Sequence, residues 1–152
     1  METAVDFELP NTELKMTRIS SYKGSPIILA FFPGAFTSVC TKELCTFRDS
    51  MAKFNKFNAK VFGISVDHPF SLAAFKAQNG LNFELLSDFN KEVSAKYGGL
   101  HDNFANIKGL KVAKRAVFII DKNFNIAYKW VSENPGVEPN YKEIEEVLSK
   151  LN

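Results

Sequence analysis

Apolar and polar positions follow two rhythms along this chain. Short, nearly continuous apolar runs occur at 27–32 (IILAFF), 61–66 (VFGISV) and 116–120 (AVFII). Runs of this length, rich in β-branched and aromatic residues, predict buried strands. A fourth run, 126–131 (IAYKWV), alternates more strongly and follows the turn signal DKNFN, so the last two runs predict a hairpin. FELP near residue 8 and LKMTRI near residue 16 predict a small N-terminal hairpin, and NFELLSD near residue 84 an edge strand. Between these runs the pattern becomes helical. Leu44, Phe47, Met51 and Phe54 form one apolar stripe, which predicts a helix over 38–54. Asp67 or His68 is placed to cap a second helix, with Pro69 in its first turn, running to Gln78 before Gly80. A short helix is expected over 89–97, stopped by Gly98-Gly99, and an amphipathic one over 140–151.

Alternating strands and helices predict an α/β fold. The order strand–helix–strand–helix, ending in a hairpin and a helix, is that of a thioredoxin-like fold: a central mixed sheet flanked by helices, here with an added N-terminal hairpin. The chain has 152 residues, 45% of them apolar, which fits a single domain over 1–152. Acidic and basic residues are interspersed, the net charge is +2, and no basic stripe marks a nucleic-acid binder. The longest apolar run, at 27–32, is too short to span a bilayer. METAVDFELP has neither a charged leader nor a long apolar stretch of the secretory kind, so a cytoplasmic protein with reduced thiols is expected.

Both cysteines of the chain, Cys40 and Cys45, lie five positions apart in FFPGAFTSVCTKELC. Two cysteines do not make a disulfide framework. Cys40 falls in the first turn of the helix predicted from residue 38, just after a buried strand closed by Pro33-Gly34. A helix start carries partial positive charge and unpaired N–H groups, which stabilise a thiolate, the nucleophilic form of cysteine. At about 100° per residue, Cys40 lies near the middle of the apolar stripe, and Cys45 points about 140° away from it. Their Cα atoms would be about 8–9 Å apart in a regular helix. A disulfide needs about 7 Å or less, so the pair can bridge only if the first turns unwind.

Several kinds of chemistry compete at this point. The C-x4-C spacing differs from the C-x-x-C of dithiol oxidoreductases, which bridges with little movement. His68 and His101 are the only histidines, and neither has a metal-ligand spacing relative to the cysteines. Spacing does not exclude a cysteine–histidine hydrolase. Each residue also has a structural reading. Cys40 could be a small buried hydrophobe, Cys45 a spectator thiol, and Thr37 an N-cap. Pro33-Gly34 could be a strand-ending turn. Arg115, next to Lys114, could be a solvated strand flank, and Glu43 an acidic residue favoured by the helix dipole.

Pro33-Gly34-Ala35-Phe36-Thr37-Ser38-Val39-Cys40 resembles the P-x-x-x-T/S-x-x-C signature of the peroxiredoxins. The likeness extends to VDFELPN…SYKGSPIILAFFP, to VFGISVDHP and to RAVFIID. It implies that Cys40 is the peroxidatic cysteine, attacking a peroxide oxygen to become a sulfenic acid. It implies that Arg115 stabilises the thiolate and the charge developing on the peroxide, and that the Thr37 hydroxyl bonds thiolate and substrate. Pro33 would shield the site from water, and Glu43 would orient the arginine. No cysteine follows Cys45, so the chain is most similar to the bacterioferritin-comigratory (Q-type) atypical 2-Cys branch, in which the second cysteine resolves within the chain. The expected activity is a thiol-dependent peroxidase acting on hydrogen peroxide and organic hydroperoxides, recycled by a thioredoxin-like dithiol protein. No metal or organic cofactor, nucleic acid or membrane is implied, and the chain would be a monomer or a homodimer. A general disulfide oxidoreductase and a non-enzymatic holdase-like module on the same scaffold are the rival readings.

Overall fold

A computed structural model describes residues 2–151. Strands β1 (Glu8–Pro10) and β2 (Met16–Arg18) pair antiparallel as the N-terminal hairpin. Then follow β3 (Ile27–Phe31), α1 (Ser38–Lys56), β4 (Lys60–Ser65), α2 (Pro69–Asn79), β5 (Glu84–Ser87) and α3 (Glu92–Lys96). Two short strands, β6 (Leu100–His101) and β7 (Val112–Ala113), precede β8 (Ala116–Ile120), β9 (Ile126–Val131) and α4 (Tyr141–Lys150).

The central sheet has the order β5-β4-β3-β8-β9. Strand β3 runs parallel to β4 and antiparallel to β8, so the sheet is mixed, as expected. It is covered on both sides, which is why β3 and β8 are buried along their whole length. Ile28, Ala30 and Phe32 join Leu44, Phe47 and Phe54 of α1, Leu72 and Phe75 of α2, and Ile144 and Leu148 of α4 in one core. The alternate residues Ile27, Leu29 and Phe31 pack on the other face with Val93, Tyr97 and the N-terminal Phe7 and Leu9. Gly63 of β4 leaves room for side chains of β5 and α1. A methyl group added there would stand 2.6 Å from Leu85 and 3.3 Å from Leu44.

Register places the site. Phe31 pairs with Ala116, and Ala116 with Val131. The carboxyl end of β3, the start of β8 and the end of β9 therefore meet at one edge of the sheet. The loop into α1, Arg115 and the loop after β9 are brought together there, in the position where open α/β sheets bind ligands.

Two expectations need correction. The third helix spans Glu92–Lys96 and not 89–97. Lys91 has φ of 64°, off the helical track, and the Asp88 carboxylate accepts from the N–H groups of Val93 and Ser94. The β6–β7 pair was not expected. Its two-residue strands are too short to show a period. The second helix is capped by His68, whose Nδ1 accepts from the Ser71 N–H at 3.2 Å, and Gly80 ends it in the left-handed conformation.

Candidate active site

Pro33 and Gly34 end the β3 extension, and the chain turns sharply into α1. The turn is pinned from β4's side: the Ala35 N–H donates to Asp67 Oδ2 at 2.8 Å, and the Ser65 hydroxyl donates to the same oxygen at 2.6 Å. Phe36 adopts φ of 67° and lays its ring edge-on against Phe75. Thr37 occupies the N-cap position of α1 but makes no side-chain cap. Its hydroxyl donates to the Gly34 carbonyl at 2.8 Å and not to the thiol, because the tight loop brings that carbonyl back over it. The oxygen lone pairs of Thr37 remain as acceptors. The amino end of α1 is thus open towards a cavity of about 230 Å³ lined by Pro33, Thr37, Ser38, Val39, Cys40 and Arg115 among others.

Cys40 forms the floor of this cavity and is itself fully buried. Arg115 Nη2 donates to Cys40 Sγ at 3.2 Å. The same guanidinium donates through Nη1 to Glu43 Oε1 at 2.7 Å, and through Nε and Nη2 to the Pro135 carbonyl at 3.2 and 2.9 Å. Arg115 is 1% exposed and Glu43 is 0% exposed. The solvated-flank reading of Arg115 fails, and it is Lys114 that takes the outward role, paired with Glu133 at 2.9 Å. The two adjacent cations face opposite ways because they sit on an extended segment leading into β8.

The electrostatics follow from burial and pairing. Burial alone would lower the Arg115 pKa, but Glu43 and the Cys40 sulfur outweigh it and hold it above its ordinary value. Burial pushes the Glu43 carboxyl up to about 7 against the pull of Arg115, and Glu138 adds to the rise. Glu43 Oε2 has no hydrogen-bond partner among the described residues. Arg115 is therefore a fixed cation whose fork is divided among a carboxylate, a backbone carbonyl and a thiol.

Glu43 lies one turn beyond Cys40, so both face Arg115 from the same side of α1. Cys45 does not join them. It is half-buried, and its Sγ donates to Asn79 Oδ1 at 3.8 Å, at the end of α2. Pro33, Thr37, Cys40, Glu43 and Arg115 thus converge, and Cys45 stands apart. Two contributors were missed. Pro135 supplies only a carbonyl, and Phe104 reaches the cavity from a segment without period. The turn signal Asn134-Pro135-Gly136 was the one visible hint, since it predicts a tight bend whose carbonyls face inward or to solvent.

A buried thiol at a helix start, held by a buried arginine on a thioredoxin-like fold, defines a thiol-peroxidase class of site. The comparisons give the family. The AhpC/TSA family profile matches residues 1–129. A relative from Mycobacterium tuberculosis that carries the peroxiredoxin name is 34% identical over 125 residues, covering 82% of this chain and 80% of the relative. The chloroplastic peroxiredoxin Q of Oryza sativa subsp. japonica is 37% identical over 82% of this chain, which spans 55% of the rice protein. The crystal structure of peroxidoxin BcpB from Mycobacterium tuberculosis superposes with a TM-score of 0.86 at 31% identity, covering 99% of this chain and 96% of that one. The chain belongs to the AhpC/TSA family, the peroxiredoxins, and is a thiol-dependent peroxidase.

Proposed function

We propose that Cys40 is the peroxidatic residue and that the chain reduces hydrogen peroxide and organic hydroperoxides. The observation that carries this is the 3.2 Å contact between Arg115 Nη2 and Cys40 Sγ at the open start of α1. The helix start and the guanidinium both stabilise the thiolate. A peroxide in the cavity meets the sulfur where Cys40 lines the cavity wall. The thiolate attacks one peroxide oxygen, the O–O bond breaks, and the leaving oxygen takes a proton to depart as water or an alcohol. Arg115 stabilises the negative charge that builds on that oxygen, which is the usual role of a fixed donor aimed at a developing charge. Thr37 Oγ accepts a hydrogen bond from the peroxide hydroxyl and orients it. Glu43 and the Pro135 carbonyl hold the arginine in place. Pro33 excludes water from the thiolate.

The product is the Cys40 sulfenic acid. In this reading the Cys45 thiol condenses with it, releasing water and forming an intramolecular disulfide. A thioredoxin-like dithiol protein then reduces the bridge by thiol–disulfide exchange. Such a cycle starts and ends with two free thiols, which suits the reducing cytoplasm as its setting.

Cys40→Ser tests the assignment. Peroxide consumption should fall to the uncatalysed background. Near-normal turnover by that variant would overturn it.

A further inference from the structure

Cys45 packs at the edge of the main core, and its polar contact, with those of the following turn of α1, comes from the C-terminal end of α2 and the turn after it. Its Sγ donates to Asn79 Oδ1 at 3.8 Å. One turn on, Arg48 Nη1 donates to the Asn79 main-chain carbonyl. The Arg48 carbonyl in turn accepts from Asn82 Nδ2 at 3.4 Å. The Asn79 side chain is not free to follow a moving partner, because its Nδ2 donates to the Phe75 carbonyl at 3.0 Å. The left-handed Gly80 fixes the turn that carries Asn79 and Asn82 to the flank of α1.

These contacts grip Cys45, at the end of the stretch 40–45 that must unwind if the two thiols are to meet, and Arg48, one turn beyond it. A wound helix keeps the two thiols on different faces. Unwinding that carries Cys45 towards Cys40 breaks its contact with Asn79, while the Arg48 contact anchors the next turn of the helix. We propose that Asn79 is a positioning residue for Cys45. Together with Asn82, it latches α1 and sets how fast the sulfenic acid is resolved. The proposal rests on the reading of Cys45 as the resolving cysteine.

Two reactions compete for the Cys40 sulfenic acid. In one, it condenses with the Cys45 thiol to give the disulfide and water. In the other, a second hydrogen peroxide oxidises it to the sulfinic acid, with loss of water. A tighter latch slows the first and leaves more time for the second.

The test is rapid-quench mass spectrometry after hydrogen peroxide, on the wild type and on Asn79→Ala, Asn82→Ala and Asn79→Asp. Asn79→Ala should form the Cys40–Cys45 bridge about threefold to tenfold faster, the scale of one lost hydrogen bond. The sulfinic fraction under excess peroxide should fall by a similar factor. Asn82→Ala should shift both readouts the same way. Asn79→Asp keeps an acceptor for Cys45 beside Arg48 but loses the bond to the Phe75 carbonyl, and should bridge more slowly than Asn79→Ala. A general loosening of the fold would also change the first oxidation of Cys40, whereas the latch changes only the second step. Equal bridging rates in wild type and Asn79→Ala would overturn this proposal alone, and so would failure of Asn79→Asp to slow the reaction again. A wild-type chain that oxidises at Cys40 but never bridges would overturn the reading of Cys45, and this proposal with it.

Discussion

Arg115 Nη2 lies 3.2 Å from Cys40 Sγ although 75 positions separate the two residues in the chain. Strand register accounts for the meeting. Phe31 at the end of β3 pairs with Ala116 at the start of β8, so the residue before β8 stands beside the loop that launches α1. One guanidinium then serves a thiol, the Glu43 carboxylate and the Pro135 carbonyl together.

A lysine cannot serve all three. Its ammonium is a point charge without a planar fork. Arg115→Lys should lower the rate of Cys40 oxidation by about 10²–10³, the usual loss when one donor to a developing charge is removed. Stopped-flow competition against another peroxide scavenger measures it. A loss below threefold would remove Arg115 from the reaction.

Glu43 titrates where enzymes work. Its folded value, about 7, lies above the ordinary 4.5 because burial disfavours the carboxylate. Between those values the folded chain binds more protons than the unfolded one, so this group's contribution to stability is present at low pH and is lost as pH rises through about 7. Glu43→Gln lacks this titration. The melting temperature of the wild type minus that of the variant should therefore fall steadily as pH rises from about 5 to 8. A flat difference across that window would show that Arg115 keeps Glu43 ionised throughout.

Gly63 faces tightly packed side chains of Leu85 and Leu44. Gly63→Ala puts a methyl 2.6 Å from a Leu85 methyl and 3.3 Å from one on Leu44. Overpacking of this kind costs about 1–3 kcal/mol. Urea denaturation should show a lower midpoint with an unchanged slope. Because Leu44 sits one turn from Cys40, peroxide reactivity should drop as well.

How much of this was legible in the sequence depended on periodicity. The α1 stripe of Leu44, Phe47 and Phe54 is buried as its spacing predicted, and Met51 packs at its edge. The strands 116–120 and 126–131 appear with the expected bounds. Cys40 was legible because its place at a helix start follows from a strand, a Pro-Gly and a helical stripe in succession. The burial of Arg115 was not. Nothing local separates it from Lys114, and only the pairing of β8 with β3 decides which of the two faces inward. Pro135 was invisible for a related reason: a carbonyl has no sequence signature, and its value comes from where the β9 register delivers the loop. The third helix is shorter than its sequence pattern suggests because Lys91, not a residue type that announces a positive φ, is left-handed.

Cys45→Ser separates the two thiols by role. One peroxide per chain should still be consumed in a burst, and the sulfenic acid should persist in the variant, whereas the wild type should go on to form a bridge. Steady turnover with thioredoxin should fall at least tenfold. Unchanged turnover would make Cys45 a spectator.

The central claim is that Cys40 is the atom-level site of peroxide reduction. The most direct test treats Cys45→Ser protein with one equivalent of hydrogen peroxide in the presence of dimedone, followed by peptide mass spectrometry. The account predicts a near-stoichiometric dimedone adduct on the Cys40 peptide, formed as the peroxide disappears. An unmodified Cys40 with peroxide still in solution would contradict it.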